Sequence, residues 1–166
     1  MATHTQMSAE EYLTTRFAGP DPEYLDGQIL ERQLPDIPHS RAQRRLSALF
    51  DNLGKKLPLH AFPELHLRLG PRHYRIADLA IFDHEPPERI PSTPPLVAIE
   101  ILSPDDTFRE IQDKFEEYRL WGVPHLWFVD PGPRKIYVYS EKGLQEVPVF
   151  AISELGVEIT AAAIWE

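Results

Sequence analysis

The spacing of apolar residues changes period along the chain, and each change marks an element. Ala9, Tyr12, Leu13 and Phe17 recur at helical spacing behind Ser8-Ala-Glu-Glu11, which has the form of a capping box, so a short helix is predicted there. Glu23 to Arg32 reads as a strand pair or a bent strand turning at Asp26-Gly27, closed by Pro35 to Pro38. A second helix is predicted from near Ser40, with Leu46, Leu49, Phe50, Leu53 and Leu57 as its buried stripe and Gly54 and Pro58 at its end. The period then drops to two. Leu65, Leu67 and Leu69 alternate with polar residues in a strand from Glu64 to Leu69, and two further strands follow at Tyr74 to Phe82 and Leu96 to Leu102, separated by a proline-rich loop.

Thr107-Phe-Arg-Glu110 forms another capping box, and Phe108, Ile111, Phe115 and Tyr118 define the inward face of the helix behind it, which ends at Gly122-Val-Pro. Strands are predicted at His125 to Val129 and Lys135 to Tyr139, with Leu144 to Phe150 pairing with the latter. The order is helix, strands, helix, several strands, helix, strands. It predicts an α/β (α+β) fold in which a mixed central sheet is flanked by helices, not a regular βαβ repeat. Repeats, low-complexity runs and linkers are absent, so residues 1–166 form one domain.

Composition narrows the setting. With 42% hydrophobic residues the chain can bury a core, and no stretch is long and apolar enough to span a membrane. Met1 to Phe17 lacks the basic, apolar and small-residue series of a signal peptide. The absence of cysteine excludes disulfides and thiolate zinc sites and agrees with a cytoplasmic location. The net charge of −9 gives little counterion-release affinity for a phosphate backbone, so charge alone does not hold this chain on DNA. It leaves open a cluster of acids that holds a metal.

Two acids stand where a core is expected. In Leu96-Val-Ala-Ile-Glu-Ile-Leu102 every neighbour of Glu100 is aliphatic, and Asp78 is flanked in the same way within Arg75 to Phe82. A buried carboxylate costs several kcal/mol unless a cation compensates it. An arginine partner would meet that need for either acid. Two such acids on consecutive strands would equally suit a shared divalent metal, with hard oxygen ligands favouring magnesium or manganese. The pattern leaves both readings open. Lys114 borders the inward face of its helix, where it either reaches toward the acids or snorkels outward beside Glu110. Glu23 and His39 carry less information, as a strand residue and a residue preceding a helix. The seven histidines show no pair at helical ligand spacing, and no P-loop, GxGxxG or GxSxG is present.

An ordered set of segments bears a family likeness: Glu23-Tyr-Leu-Asp-Gly27, Pro38-His-Ser40, Ile76-Ala-Asp-Leu-Ala-Ile-Phe82, Pro95-Leu-Val-Ala-Ile-Glu-Ile-Leu-Ser-Pro104, Asp113-Lys-Phe-Glu-Glu-Tyr118 and Gly122-Val-Pro-His-Leu-Trp-Phe-Val-Asp-Pro131. Together they resemble the Uma-two-type family of restriction-endonuclease-like proteins, within the PD-(D/E)XK nuclease superfamily. The resemblance implies a restriction-endonuclease-like mixed sheet and a metal-dependent endonuclease acting on nucleic acid, DNA foremost, with Mg2+ or Mn2+ as cofactor and a homodimer as the working form. It assigns Asp78 to the PD element and Glu100 to the (D/E)XK element, with the carbonyl of Ile101 as an added metal ligand. Glu23 matches the family acid near the first strand, a further ligand or acid–base group. Two positions depart from the superfamily pattern. Ala77 replaces the proline, and Leu102 stands where the lysine belongs, for which Lys114 on the following helix is the implied replacement. Two rival functions follow from the departures and the charge: a non-catalytic binding or assembly module on the same fold, and a metal hydrolase of small phosphoesters.

Overall fold

Side chains meet the free backbone amides at the start of each main helix in this computed structural model, which describes residues 6–166; the part of the leader reading that falls on Met1 to Thr5 lies outside them. Helix α1 (Ala9–Thr14) and helix α3 (Phe108–Trp121) both open with reciprocal capping boxes, Ser8 with Glu11 and Thr107 with Glu110. Helix α2 (Ile37–Leu53) starts earlier than Ser40, because Asp36 accepts the His39 N–H at 2.9 Å and Pro38 lies in the first turn, where its missing donor costs nothing. Leu57 lies beyond the helix end but still packs on the same core.

The tight turn read at Asp26-Gly27 joins β1 (Glu23–Leu25) to β2 (Gln28–Leu30), with φ of 48° and 94° at its two central residues, as a primed hairpin turn requires. Strands β3 (His60–Gly70), β4 (His73–Phe82), β5 (Val97–Ile101), β6 (His125–Asp130), β7 (Lys135–Ser140) and β8 (Gly143–Val147) complete one sheet of order β2-β1-β4-β5-β6-β7-β8, with β3 also paired to β4. Among the described strands only β5 and β6 run parallel, joined through α3. The sheet is therefore mixed, as expected. Pro148 splits the segment read as one strand from Leu144 to Phe150, since proline cannot donate to a ladder. After it, β9 (Val149–Ile152) pairs with β10 (Val157–Thr160) in a separate ribbon, followed by α4 (Ala161–Trp165).

Each face of the sheet is covered. Ala42, Leu46 and Phe50 of α2, with the C-terminal ribbon and α4, bury Leu79, Ile81, Ile99 and Trp127; Trp127 stacks on Phe150 at 4.4 Å. On the other face, Ile111, Phe115 and Tyr118 of α3 cover Ala80, Ala98 and Phe128. Two predicted inward residues turn out exposed. Leu13 is 44% exposed, because Tyr12 takes the inward position beside Tyr24 and Tyr74. Phe108 is 53% exposed, since it opens α3, and its ring meets Phe128 edge-on at 6.2 Å.

One edge of β4 is shared in a way that shapes the site. Its start pairs with β1 at His73 and Tyr74, and its far end pairs with β5 from Leu79 to Ile81. Between them, Ile76 is bonded on both backbone groups by side chains. The Glu23 carboxylate accepts its N–H at 2.9 Å, and the Lys114 ammonium donates to its carbonyl at 2.8 Å.

Candidate active site

The register that sets Leu79 opposite Ile99 and Ala80 opposite Ala98 carries Asp78 opposite Glu100. Side chains alternate across a strand, so both acids share the face of Ala80 and Ala98, which is the α3 side. Both are buried, and both line a cavity of about 630 Å³ together with Glu23, Arg32, His39, Gln43, Glu64, Ile101 and Lys114. The candidates Asp78, Glu100, Ile101, Lys114 and Glu23 thus converge on one place, although they come from four separate elements.

Asp78 is held from several sides. Its Oδ2 accepts the Ile101 N–H at 2.7 Å and faces His39 Nε2 at 3.2 Å, while its Oδ1 faces Arg32 Nη2 at 3.3 Å. A carboxylate only accepts, so the bonded His39 nitrogen carries a proton. Burial pushes the Asp78 pKa up, but the His39 bond, the Lys114 charge and the Ile101 N–H outweigh it and leave the group below its ordinary value. Glu100 has the opposite balance. Burial dominates, Lys114 only partly opposes it, and the nearby Asp78 and Glu23 charges add to it, so its pKa is pushed up to about 8.

Lys114 sits at the centre. Its Nζ lies 3.0 Å from Glu100 Oε2 and 2.8 Å from Glu23 Oε1, and although burial works against its charge, these acids and Asp78 hold its pKa above the ordinary lysine value. The partner Glu110, offered by the outward reading, is engaged with Thr107 in the helix cap instead. Tyr118, one turn on, donates its hydroxyl to Glu100 Oε1 at 3.1 Å. Glu23 is also paired with Arg75 at 2.8 Å, and burial notwithstanding, Lys114 and Arg75 keep it ionised at low pH. Arg75 in turn forms a two-point pair with Glu117, at 2.7 Å for each contact.

Several contributors were not singled out by sequence. Arg75 had a signal, being a base misplaced in the same apolar strand as Asp78. Gln43 lies one helical turn beyond His39, and its amide donates to the Asp78 carbonyl and to Glu64, each at 2.8 Å. Arg32 and Glu64 had no such signal: one is in the irregular stretch after β2, the other in an otherwise ordinary alternating strand. Glu64 has φ of 52°, a conformation rare outside glycine, at the register position opposite Asp78.

The donor set suits a hard divalent cation. Asp78 and Glu100 offer carboxylate oxygens on one face, and the raised Glu100 pKa marks more buried acid than the neighbouring bases compensate. Among the described residues no group of three His, Cys, Asp or Glu forms a ready-made cage. Few protein ligands and several retained waters are what magnesium accepts.

A mixed sheet flanked by helices, with a buried pair of facing acids on the interior strands β4 and β5 and a lysine on α3, is an architecture of the nuclease-fold class. The family described as "Putative restriction endonuclease", Uma2, matches residues 9–163, and the chain belongs to that family. A solved structure similar in fold is that of a putative nuclease of the DUF820 group from Anabaena variabilis, 21% identical, with a TM-score of 0.83 over 96% of this chain and 97% of the other. No curated protein sequence matches the chain. No helix among the described residues is long and apolar enough to cross a membrane.

Proposed function

We propose that this protein is a metal-dependent nuclease that hydrolyses phosphodiester bonds in nucleic acid, DNA foremost. The observation that carries the reading is Lys114 bonded to Glu100 while Asp78 faces Glu100 across the β4–β5 pair. A lysine delivered from α3 would serve in place of the strand lysine whose position Leu102 occupies, and family membership supports the nuclease reading.

Asp78 and Glu100 would hold magnesium, with manganese as substitute and the Ile101 carbonyl as a further oxygen. When bound, that ion polarises the scissile phosphate and lowers the pKa of a water. The remaining work falls to the chain itself. Lys114 offers a fixed positive charge where negative charge develops on the phosphate oxygens, and costs no reorganisation because Glu23 and the Ile76 carbonyl already hold it. Glu23 acts through Lys114, anchoring it rather than meeting substrate. His39 and the Ile101 N–H keep Asp78 ionised and oriented. Two active centres meeting two strands of a duplex would call for a homodimer.

The test is cleavage of double-stranded DNA, single-stranded DNA and RNA with magnesium or manganese, beside Asp78→Asn. Metal-dependent chain scission lost in Asp78→Asn is expected. Scission that persists in Asp78→Asn, or requires no metal, refutes the reading. The net charge of −9 favours one competitor, hydrolysis of small phosphoesters, and a phosphomonoester and phosphodiester panel in the same assay separates the two.

A further inference from the structure

We propose that Arg32 is a built-in counter-ion that occupies Asp78 while no metal is bound, and that it leaves Asp78 for the substrate phosphate once a cation arrives. The proposal rests on the reading of Asp78 as a cation ligand.

The oxygens of Asp78 are not equivalent. Oδ2 is taken by two contacts that belong to the fold, the Ile101 N–H at 2.7 Å and His39 at 3.2 Å. Among the described residues Oδ1 has one partner, the Arg32 guanidinium at 3.3 Å. A cation that approaches Asp78 from the cavity therefore meets Arg32 at the oxygen with fewest other ties. A guanidinium and a divalent cation repel each other, so both cannot use that oxygen at full strength.

Arg32 is also built to move. Its two terminal nitrogens are held unequally: Nη1 pairs with Glu64 at 2.7 Å, whereas Nη2 only leans on Asp78 at 3.3 Å. Glu64 thus serves as the anchor and Asp78 as the weaker rest. Arg32 lies between β2 and α2 in a stretch without regular structure, so no ladder bond fixes its backbone. Its side chain is 15% exposed and lines the cavity, which leaves it access to a ligand there. The planar fork of arginine pairs with two phosphate oxygens as readily as with a carboxylate. The anchor is itself unusual, since Glu64 holds a left-handed backbone that only a well-defined surrounding maintains.

Manganese titration of the metal-free protein, followed by calorimetry or by the paramagnetic signal of the ion, reads the first half directly. Arg32→Gln should bind manganese roughly tenfold more tightly than wild type, about 1.4 kcal/mol, because no internal cation has to be displaced. Its cleavage of nucleic acid should fall, with KM raised more than kcat is lowered. Manganese affinity that is unchanged or weaker in a folded Arg32→Gln overturns the counter-ion role. Tighter manganese binding with wild-type KM overturns the substrate role. A wild-type crystal soaked in manganese gives a check free of any folding defect in the variant: Arg32 should have left Asp78 while staying on Glu64, and an unbroken Arg32–Asp78 contact beside a bound ion sinks the proposal. Should wild type cut no nucleic acid, the nuclease reading fails, and the titration still decides the counter-ion role.

Discussion

Replacing Glu100 by glutamine should make the metal-free protein more stable, and the expected size follows from its surroundings. The carboxyl titrates near 4.5 when exposed and near 8 in the fold, with burial as the largest cause. The unfolded chain therefore releases this proton first. Stability is intact below about pH 4.5, declines as the pH rises, and levels off above about pH 8. At pH 7 the accumulated cost is about 3 kcal/mol. Glutamine has no proton to lose, and it keeps a carbonyl for Lys114 while the Tyr118 hydroxyl can turn to accept from its amide. Part of the attraction to Lys114 is given up, so a net gain of about 2 kcal/mol is expected, or a rise in Tm of roughly 4–8 °C for a chain of this size. Thermal melts at pH 5 and pH 8, with and without magnesium, provide the assay. Without metal the two proteins should converge at pH 5 and separate at pH 8. With magnesium, wild type should gain stability by mass action and the variant should not. Equal Tm values at pH 8 without metal, or an equal magnesium shift in both proteins, would refute the reasoning.

Lys114→Ala should leave metal affinity nearly intact and cut cleavage roughly 10²-fold, by analogy with the loss of one oxyanion donor. Lys114→Arg should recover little, because a planar fork does not replace a point charge; single-turnover rates beside a manganese titration check both. Arg75→Met should destabilise the fold by about 3–5 kcal/mol in urea unfolding, since it leaves Glu23 and Glu117 short of their shared partner. A loss below about 1 kcal/mol would show that the pairing is dispensable.

The sheet order was not legible in the chain, but most of its parts were. Capping boxes, the Asp26-Gly27 turn and the alternating strands depend on neighbours a few residues apart, and local chemistry decides them. The same locality explains why Asp78 and Glu100 stood out, since each breaks a pattern set by its own segment, whereas Lys114 fits its helix face either way and was favoured only by the family resemblance. What local reading missed depends on distant partners. Pro38 was taken as an end to the preceding strands, while the Asp36 cap makes it part of a helix start. Phe108 fits the inward spacing of its helix but sits at the tip, where no opposite layer covers it. Arg32 and Glu64 meet Asp78 only because β3, β4 and an irregular stretch are brought together, and neither looks unusual beside its own neighbours. The ribbon β9–β10 followed the break at Pro148, whose consequence depends on the core that Phe150 enters.

The side-chain bonds to Ile76 tie chemistry to architecture unevenly. Glu23 and Lys114 complete the edge of β4 whether or not anything is ever cut. A descendant of this protein that abandoned cleavage would gain nothing by discarding them, because its sheet would still require the seam. Glu100 is under no such obligation, and its ionised form costs the fold stability, a cost that the proposed metal would offset. Were the proposed cleavage lost, substitution should therefore begin at position 100, with Lys114 retained for its bond to the Ile76 carbonyl.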